Sequence, residues 1–339
     1  MTLDVPLAWA LVVLFALTMY VILDGFDLGV GMLLLTARSE KDRELMVRSI
    51  APVWDGNETW LVLVGVGLLG GFPAAYGIAL PAFYLPLIVM LLCLAFRGTA
   101  FEFRFQSERP WIWDVAFSVG SWGAALCQGF IVGALLTGIR VRDLTFAGSP
   151  LDCLRPFAVL TALLVAFTYA TLGATWLIFR TTGALSTFCR VCARVAGAAL
   201  ALSALLGVLA APWLAPELTA HAHWSPAGVA LAAVIWIGVA AVMLWSLSRP
   251  SDIAPFACAI ILALFVVIAF VSTVWPYLIP YELSFRQAAS VERSQLALLI
   301  GAFLILPFVL AYSAYAYFVF RGKVAPEPDE LATSSDGTR

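Results

Sequence analysis

The chain has 339 residues, 63% hydrophobic and only 12% charged, too few charges to coat a water-soluble domain. Its 19 Lys and Arg against 21 Asp and Glu leave a net charge of −2, which excludes the basic field of a nucleic-acid binder. Continuous apolar runs of about 20 residues, in place of alternating segments of about 10, exclude an outer-membrane barrel and indicate an all-α polytopic membrane protein.

In chain order, apolar runs bounded by charge, Pro or turn residues predict nine transmembrane helices, at 7–35, 52–71, 74–96, 111–139, 156–179, 195–214, 226–247, 254–278 and 296–320. The first run is too long for a signal h-region and has no basic segment before it, so it stays as a helix. Of the 19 Lys and Arg, 14 fall at one set of helix ends, including Arg38 to Arg48, Arg97 to Arg109, Arg180 to Arg194 and Arg321 to Lys323. Only Arg140, Arg142, Arg155, Arg286 and Arg293 fall at the other. That asymmetry predicts an external N-terminus and a cytoplasmic C-terminus. The polar, Pro-containing segment 323–339 reads as a disordered cytoplasmic tail. ALTMYVILDGFDLG and VAFTYATLGATWL, in the first and fifth spans, echo each other faintly.

Ionisable residues inside apolar spans are costly and so mark function. The first helix carries Asp24 and Asp27 in LDGFDLGVG, three residues apart and so neighbours on the helix surface. Gly25, Gly29 and Gly31 beside them permit close helix approach. The second span opens with VWDGNETWL, which places Asp55, Asn57 and Glu58 in its first turns. The helix dipole favours acidic groups there. Both groups fall in the cytoplasmic leaflet, where Asp55 near the entrance and Asp27 deeper form the start of a proton relay, with Asp24 and Glu58 alongside. The competing structural readings are a helix cap for Asp55 and a satisfied hydrogen bond for Asp24. Asp114 in WIWDVAF reads as an N-cap of the fourth span.

The two histidines, His221 and His223, lie in one external loop, so no span offers the axial His that most membrane haems use. Cys189 and Cys192 form a CxxC, but no second pair or His cluster completes a zinc site. No metal site is expected.

The motifs DGFDLGVG at 24–31 and SIAPVWDGNETWL at 49–61 resemble subunit II of the cytochrome bd-type quinol oxidases. Trp54, Asp55, Gly56, Asn57 and Trp60 carry the second motif, and the FEFR, WIWD and WPYLIP segments extend the resemblance over the chain. The ETW variant looks most like the cyanide-insensitive branch. The resemblance implies two four-helix bundles, 1–145 and 146–285, a peripheral ninth helix at 286–322 and the tail. It implies a heterodimer in the bacterial inner membrane, in which a partner subunit I holds two b haems and one d haem, oxidises quinol and reduces O₂ to water. This chain would ligate no haem, stabilise subunit I and help supply cytoplasmic protons, making the assembly electrogenic without pumping. A structural quinone and a small single-helix accessory subunit are also known in the family, although no quinone signature is visible here. The alternative from the carboxylates alone is a proton-coupled secondary transporter, whose sites would sit at the midplane between inverted repeats.

Overall fold

The computed structural model describes residues 4–221 and 225–324. The expected disordered tail beyond Val324, and His223, lie outside the described residues. Helix α1 (Val5–Leu33) passes through a 3-10 turn (Leu34–Thr36) to α2 (Glu40–Ile50), and α3 (Trp54–Gly71), α4 (Pro73–Ala82), α5 (Tyr84–Arg104) and α6 (Pro110–Leu136) follow. A hairpin of β1 (Val141–Arg142) and β2 (Thr145–Phe146) and a 3-10 turn (Pro150–Leu154) lead to α7 (Pro156–Arg180), α8 (Gly183–Leu214), α9 (Pro216–Ala220), α10 (Pro226–Ser246) and α11 (Ile253–Val274). The second hairpin, β3 (Tyr277–Ile279) with β4 (Leu283–Ser284), and α12 (Phe285–Ala288) precede α13 (Glu292–Val319).

Among the described residues, eight helices are long and apolar enough to cross a membrane. They are α1 with its 3-10 extension, α5, α6, α7, α8, α10, α11 and α13. The expected second span is α3, whose polar opening WDGNET leaves an apolar stretch short of that standard. The expected third span, 74–96, is divided at Phe83 into α4 and α5. Pro86 has no amide to donate to Ala82, which suits a break there. Helix α5 then continues past 96, so Arg97 lies within a helix instead of in the expected loop. Residues 180–194, also expected as a loop, mostly belong to α8.

The segment after α1 forms a helix because its ends are provided for. Ser39 caps α2 by accepting from the Asp42 amide at 3.1 Å, with Glu40 and Asp42 in the first turn and Arg48 in the last. Asp114 is not a cap, because α6 begins at Pro110 with Arg109 in the cap position. It is buried and ion-paired with Arg104 at 2.6 Å and Arg43 at 2.9 Å, tying α6 to α5 and α2. Hydrogen bonding to Glu40 holds the Arg43 guanidinium above its ordinary pKa range.

At the centre, α7 is buried along most of its length and packs on α1, α6 and α8. Its contact with α1 is backbone on backbone: a Cβ at Gly29 would lie 2.7 Å from the Tyr169 carbonyl carbon and 2.8 Å from the Gly173 nitrogen. Gly25 faces the Tyr169 ring and Gly31 faces Ser121 of α6. The glycine face of α1 therefore serves packing within this chain, as small residues do in membrane bundles. All six cysteines are free.

Candidate functional site

Four helices converge on the two α1 carboxylates. Asp24 and Asp27 are fully buried, at 0% and 1% exposure. Arg97, on α5 and 1% exposed, sets its Nη2 2.6 Å from Asp24 Oδ1 and 2.7 Å from Glu58 Oε2. Glu58, one helical turn past Asp55 on α3, is half-buried. One guanidinium nitrogen thus bridges a buried carboxylate on α1 and a partly accessible one on α3. A lone buried charge costs several kcal/mol, which explains why an arginine occupies this depth.

A second branch runs from Asp27. Its Oδ2 accepts from Asn57 Nδ2 at 2.7 Å, and the Tyr317 hydroxyl of α13 donates to Asn57 Oδ1 at 2.8 Å. On the other side of Asp24, one turn back along α1, the Tyr20 hydroxyl accepts from Gln128 Nε2 at 2.7 Å, and the Tyr169 hydroxyl donates to Gln128 Oε1 at 2.7 Å. Gln128 thereby links the tyrosines of the two echoing segments, on α1 and α7. Asp24 Oδ2, Asp27 Oδ1 and Arg97 Nε and Nη1 have no hydrogen-bond partner among the described residues. The cluster therefore keeps capacity to bind water or exchange a proton.

The sequence-derived residues do not all meet. Asp24 and Glu58 come together on Arg97, and Asn57 bonds Asp27 one turn further along α1. Asp55 lies in the first turn of α3, exposed, and makes no side-chain cap bond; Val53 holds the cap position without one either. Trp54 packs against Phe101 with ring centroids 5.0 Å apart, Trp60 is buried against Phe15 at 5.7 Å, and exposed Gly56 has nothing within 4 Å of a would-be Cβ. Sequence reasoning missed Arg97, Tyr317 and the joining role of Gln128. The signal for Arg97 was a lone cation between two apolar stretches, LLCLAF and GTAF.

No group of three or more His, Cys, Asp or Glu suited to a metal occurs among the described residues. His221 is exposed in the loop after α9 and stacks on Tyr281 with centroids 4.1 Å apart.

Comparison with known proteins matches residues 5–320 to the model of a family described as cytochrome bd terminal oxidase subunit II. Similar proteins include the cytochrome bd-I ubiquinol oxidase subunit 2 of Escherichia coli K12, 29% identical over 96% of this chain and 97% of that one. The cytochrome bd ubiquinol oxidase subunit 2 of Bacillus subtilis is 28% identical, covering 94% and 96%. A probable cytochrome oxidase subunit 2 of Haemophilus influenzae is 34% identical over 61% of this chain, but the match spans only 56% of that protein. A chain in the structure of the bd oxidase from Geobacillus thermodenitrificans superposes with a TM-score of 0.75 at 20% identity, covering 94% of this chain and all of that one.

Proposed function

Since the chain belongs to the cytochrome bd terminal oxidase subunit II family, we propose that it is the non-haem subunit of a bacterial inner-membrane quinol:O₂ oxidoreductase, paired with a haem-bearing subunit I. In this reading α3 is a ninth crossing, the N-terminus is external, and the end carrying α2, Asp55 and Arg180 faces the cytoplasm. The two four-helix bundles are joined along the α1–α7 glycine contact. The haems supply the electron transfer and O₂ chemistry in the partner. This chain's residues hold and move protons on the cytoplasmic side.

The observation that carries the reading is the Glu58–Arg97–Asp24 bridge. Asp55 and Glu58 gather protons at the accessible opening of α3. Glu58 and Asp24, held on the same Arg97 nitrogen, carry them into the buried interior. Asp24 and Glu58 share one guanidinium nitrogen, with Asp27 one turn further along α1, and carboxyl groups so placed exchange protons as neighbouring charges change. Asp27 is anchored by Asn57 and Tyr317 as the inner branch. Protons released outside on quinol oxidation and taken up inside would make the assembly electrogenic without pumping. The ETW form of the second motif assigns the chain to the cyanide-insensitive branch in this reading, which a cyanide titration of respiration checks.

The test is the purified assembly of Asp55→Asn. Haem bands should co-purify with a second large subunit and remain reducible by quinol, while steady-state O₂ consumption falls and Asp55→Glu recovers part of it. Normal turnover in Asp55→Asn combined with Glu58→Gln, at full haem content, overturns the proton role. A colourless assembly without a large partner overturns the subunit assignment.

A further inference from the structure

Arg180 is the last residue of α7, 7% exposed, and its guanidinium donates no hydrogen bond to any described residue. Among the described residues its buried Nε has no partner, nor does the indole Nε1 of Trp176, itself 4% exposed. Both side chains line a shallow surface cleft, together with Ser49, Tyr317 and Phe320.

The structural explanations for a buried arginine at this place fall short. A C-terminal arginine commonly caps its own helix, but here Lys323 Nζ takes the Ile178 carbonyl at 2.9 Å and the Val324 amide takes the Arg180 carbonyl at 2.8 Å. An ion pair is equally absent among the described residues: Asp252, which Lys323 ties to this end of α7, is engaged by Arg190 at 2.7 Å and Lys323 at 2.8 Å. The Tyr317 hydroxyl is committed as a donor to Asn57. What remains is the Trp176 ring, 5.3 Å from the guanidinium carbon. A ring face offsets part of the charge and satisfies no N–H.

A planar guanidinium with free donors beside a free indole N–H, in a cleft with nearby Lys323, matches an oxyanion bound through several donors. We propose that Arg180 and Trp176 form a binding site for a phosphate-type oxyanion at the end of α7. The donor chemistry is shared by a phospholipid head group and free phosphate, and the experiment separates them.

The complex with its partner subunit is purified in detergent and exchanged into phosphate-free buffer. If the ligand is a head group, native mass spectrometry with added phosphatidylglycerol should count one more retained lipid in wild type than in Arg180→Gln. If it is free phosphate, inorganic phosphate should raise Tm by several degrees in wild type and not in Arg180→Gln. Arg180→Lys retains a cation and provides a folded comparison should Arg180→Gln fail to assemble; it should bind weakly. Trp176→Phe keeps the ring, loses the donor and should weaken binding about tenfold. Equal lipid counts and equal phosphate responses in wild type, Arg180→Lys and Trp176→Phe overturn the proposal. So does binding that appears only after truncation beyond Val324, since the chain's own Glu327, Asp329 and Glu330 would then be the occupants.

Discussion

Asp24 and Arg97 meet at 2.6 Å with neither side chain more than 1% exposed, an ion pair between α1 and α5 inside the helix bundle. Such a pair contributes little net stability against an apolar replacement, yet breaking it from one side is expensive. Arg97→Met should therefore destabilise the purified complex by about 3–5 kcal/mol, read as a large fall in Tm. Arg97→Met combined with Asp24→Leu should recover much of that loss, although Glu58 stays unpaired. Equal Tm in wild type and Arg97→Met would show that the pair is not a structural tie.

The α1–α7 contact makes a second, separable prediction. A side chain at Gly29 drives into the Tyr169 and Gly173 backbone, which cannot yield as a flexible side chain would. Gly29→Leu should abolish accumulation of this chain even when it is expressed without its partner. Gly56→Ala meets no atom of this chain and gains helix propensity of about 1 kcal/mol, so it should accumulate normally. Equal membrane levels for the two variants in immunoblots would contradict this packing account.

These cases show what the sequence could and could not disclose. Asp24 and Asp27 stood out because a carboxylate inside an apolar helix has no bland explanation in composition. Gly29 was visible as a small residue, but only tertiary packing reveals that it meets α7 in place of another subunit. Arg97 closed an apolar run and so resembled an interfacial flank; its partners lie on α1 and α3, beyond any local pattern. Asp114 showed the same limit: its spacing fitted a cap, and the two arginines that hold it come from α2 and α5. The α2 helix was hidden because it is short and charged, so its one apolar face, Met46, Val47 and Ile50, was lost among the charges between two long apolar runs.

Gln128 donates to Tyr20 and accepts from Tyr169, each at 2.7 Å. Gln128→Leu keeps much of the volume and strands both hydroxyls, each costing about 1–3 kcal/mol when buried without a partner. Tm of the complex should drop, and Gln128→Leu with Tyr20→Phe and Tyr169→Phe should return towards wild type. A triple variant no more stable than Gln128→Leu would refute the coupling.

Outside the spanning helices, Asp152 fastens the β1–β2 hairpin to the following turn through Arg140 at 2.8 Å and the Ser149 amide at 3.1 Å. Partial burial pushes its carboxyl up, but the Ser149 amide and Arg140 outweigh this and hold it below the ordinary range. A lowered carboxylate contributes stability above its unfolded pKa of about 4, and that contribution is lost as pH falls through the folded value. Protection factors for residues 140–155, corrected for intrinsic exchange, should be constant from pH 7 to about 5 and fall below about 4. Asp152→Asn should remove most of the pH dependence. Unchanged protection across that range would sink the assignment.

The last prediction ranks the acidic residues of α3. Asp55 is exposed and makes no side-chain bond to the buried cluster, whereas Glu58 binds the same Arg97 nitrogen as Asp24. If protons enter by this route, losing Asp55 removes one collector at the mouth, but losing Glu58 removes the link between mouth and interior. Glu58→Gln is nearly isosteric and can still accept from Arg97 through its amide oxygen, so the bridge geometry and haem content should persist. It cannot carry a proton as a carboxyl does. Steady-state O₂ consumption should consequently fall further in Glu58→Gln than in Asp55→Asn, by about tenfold or more if proton delivery becomes limiting. Glu58→Asp should give an intermediate rate, because the acid remains and its reach shortens. In both slow variants quinol should reduce the haems at the wild-type rate in the first turnover, which separates a proton defect from a structural one. Turnover in Glu58→Gln equal to or above that of Asp55→Asn, at matched haem content, would place the entry point elsewhere and leave Arg97 a purely structural tie.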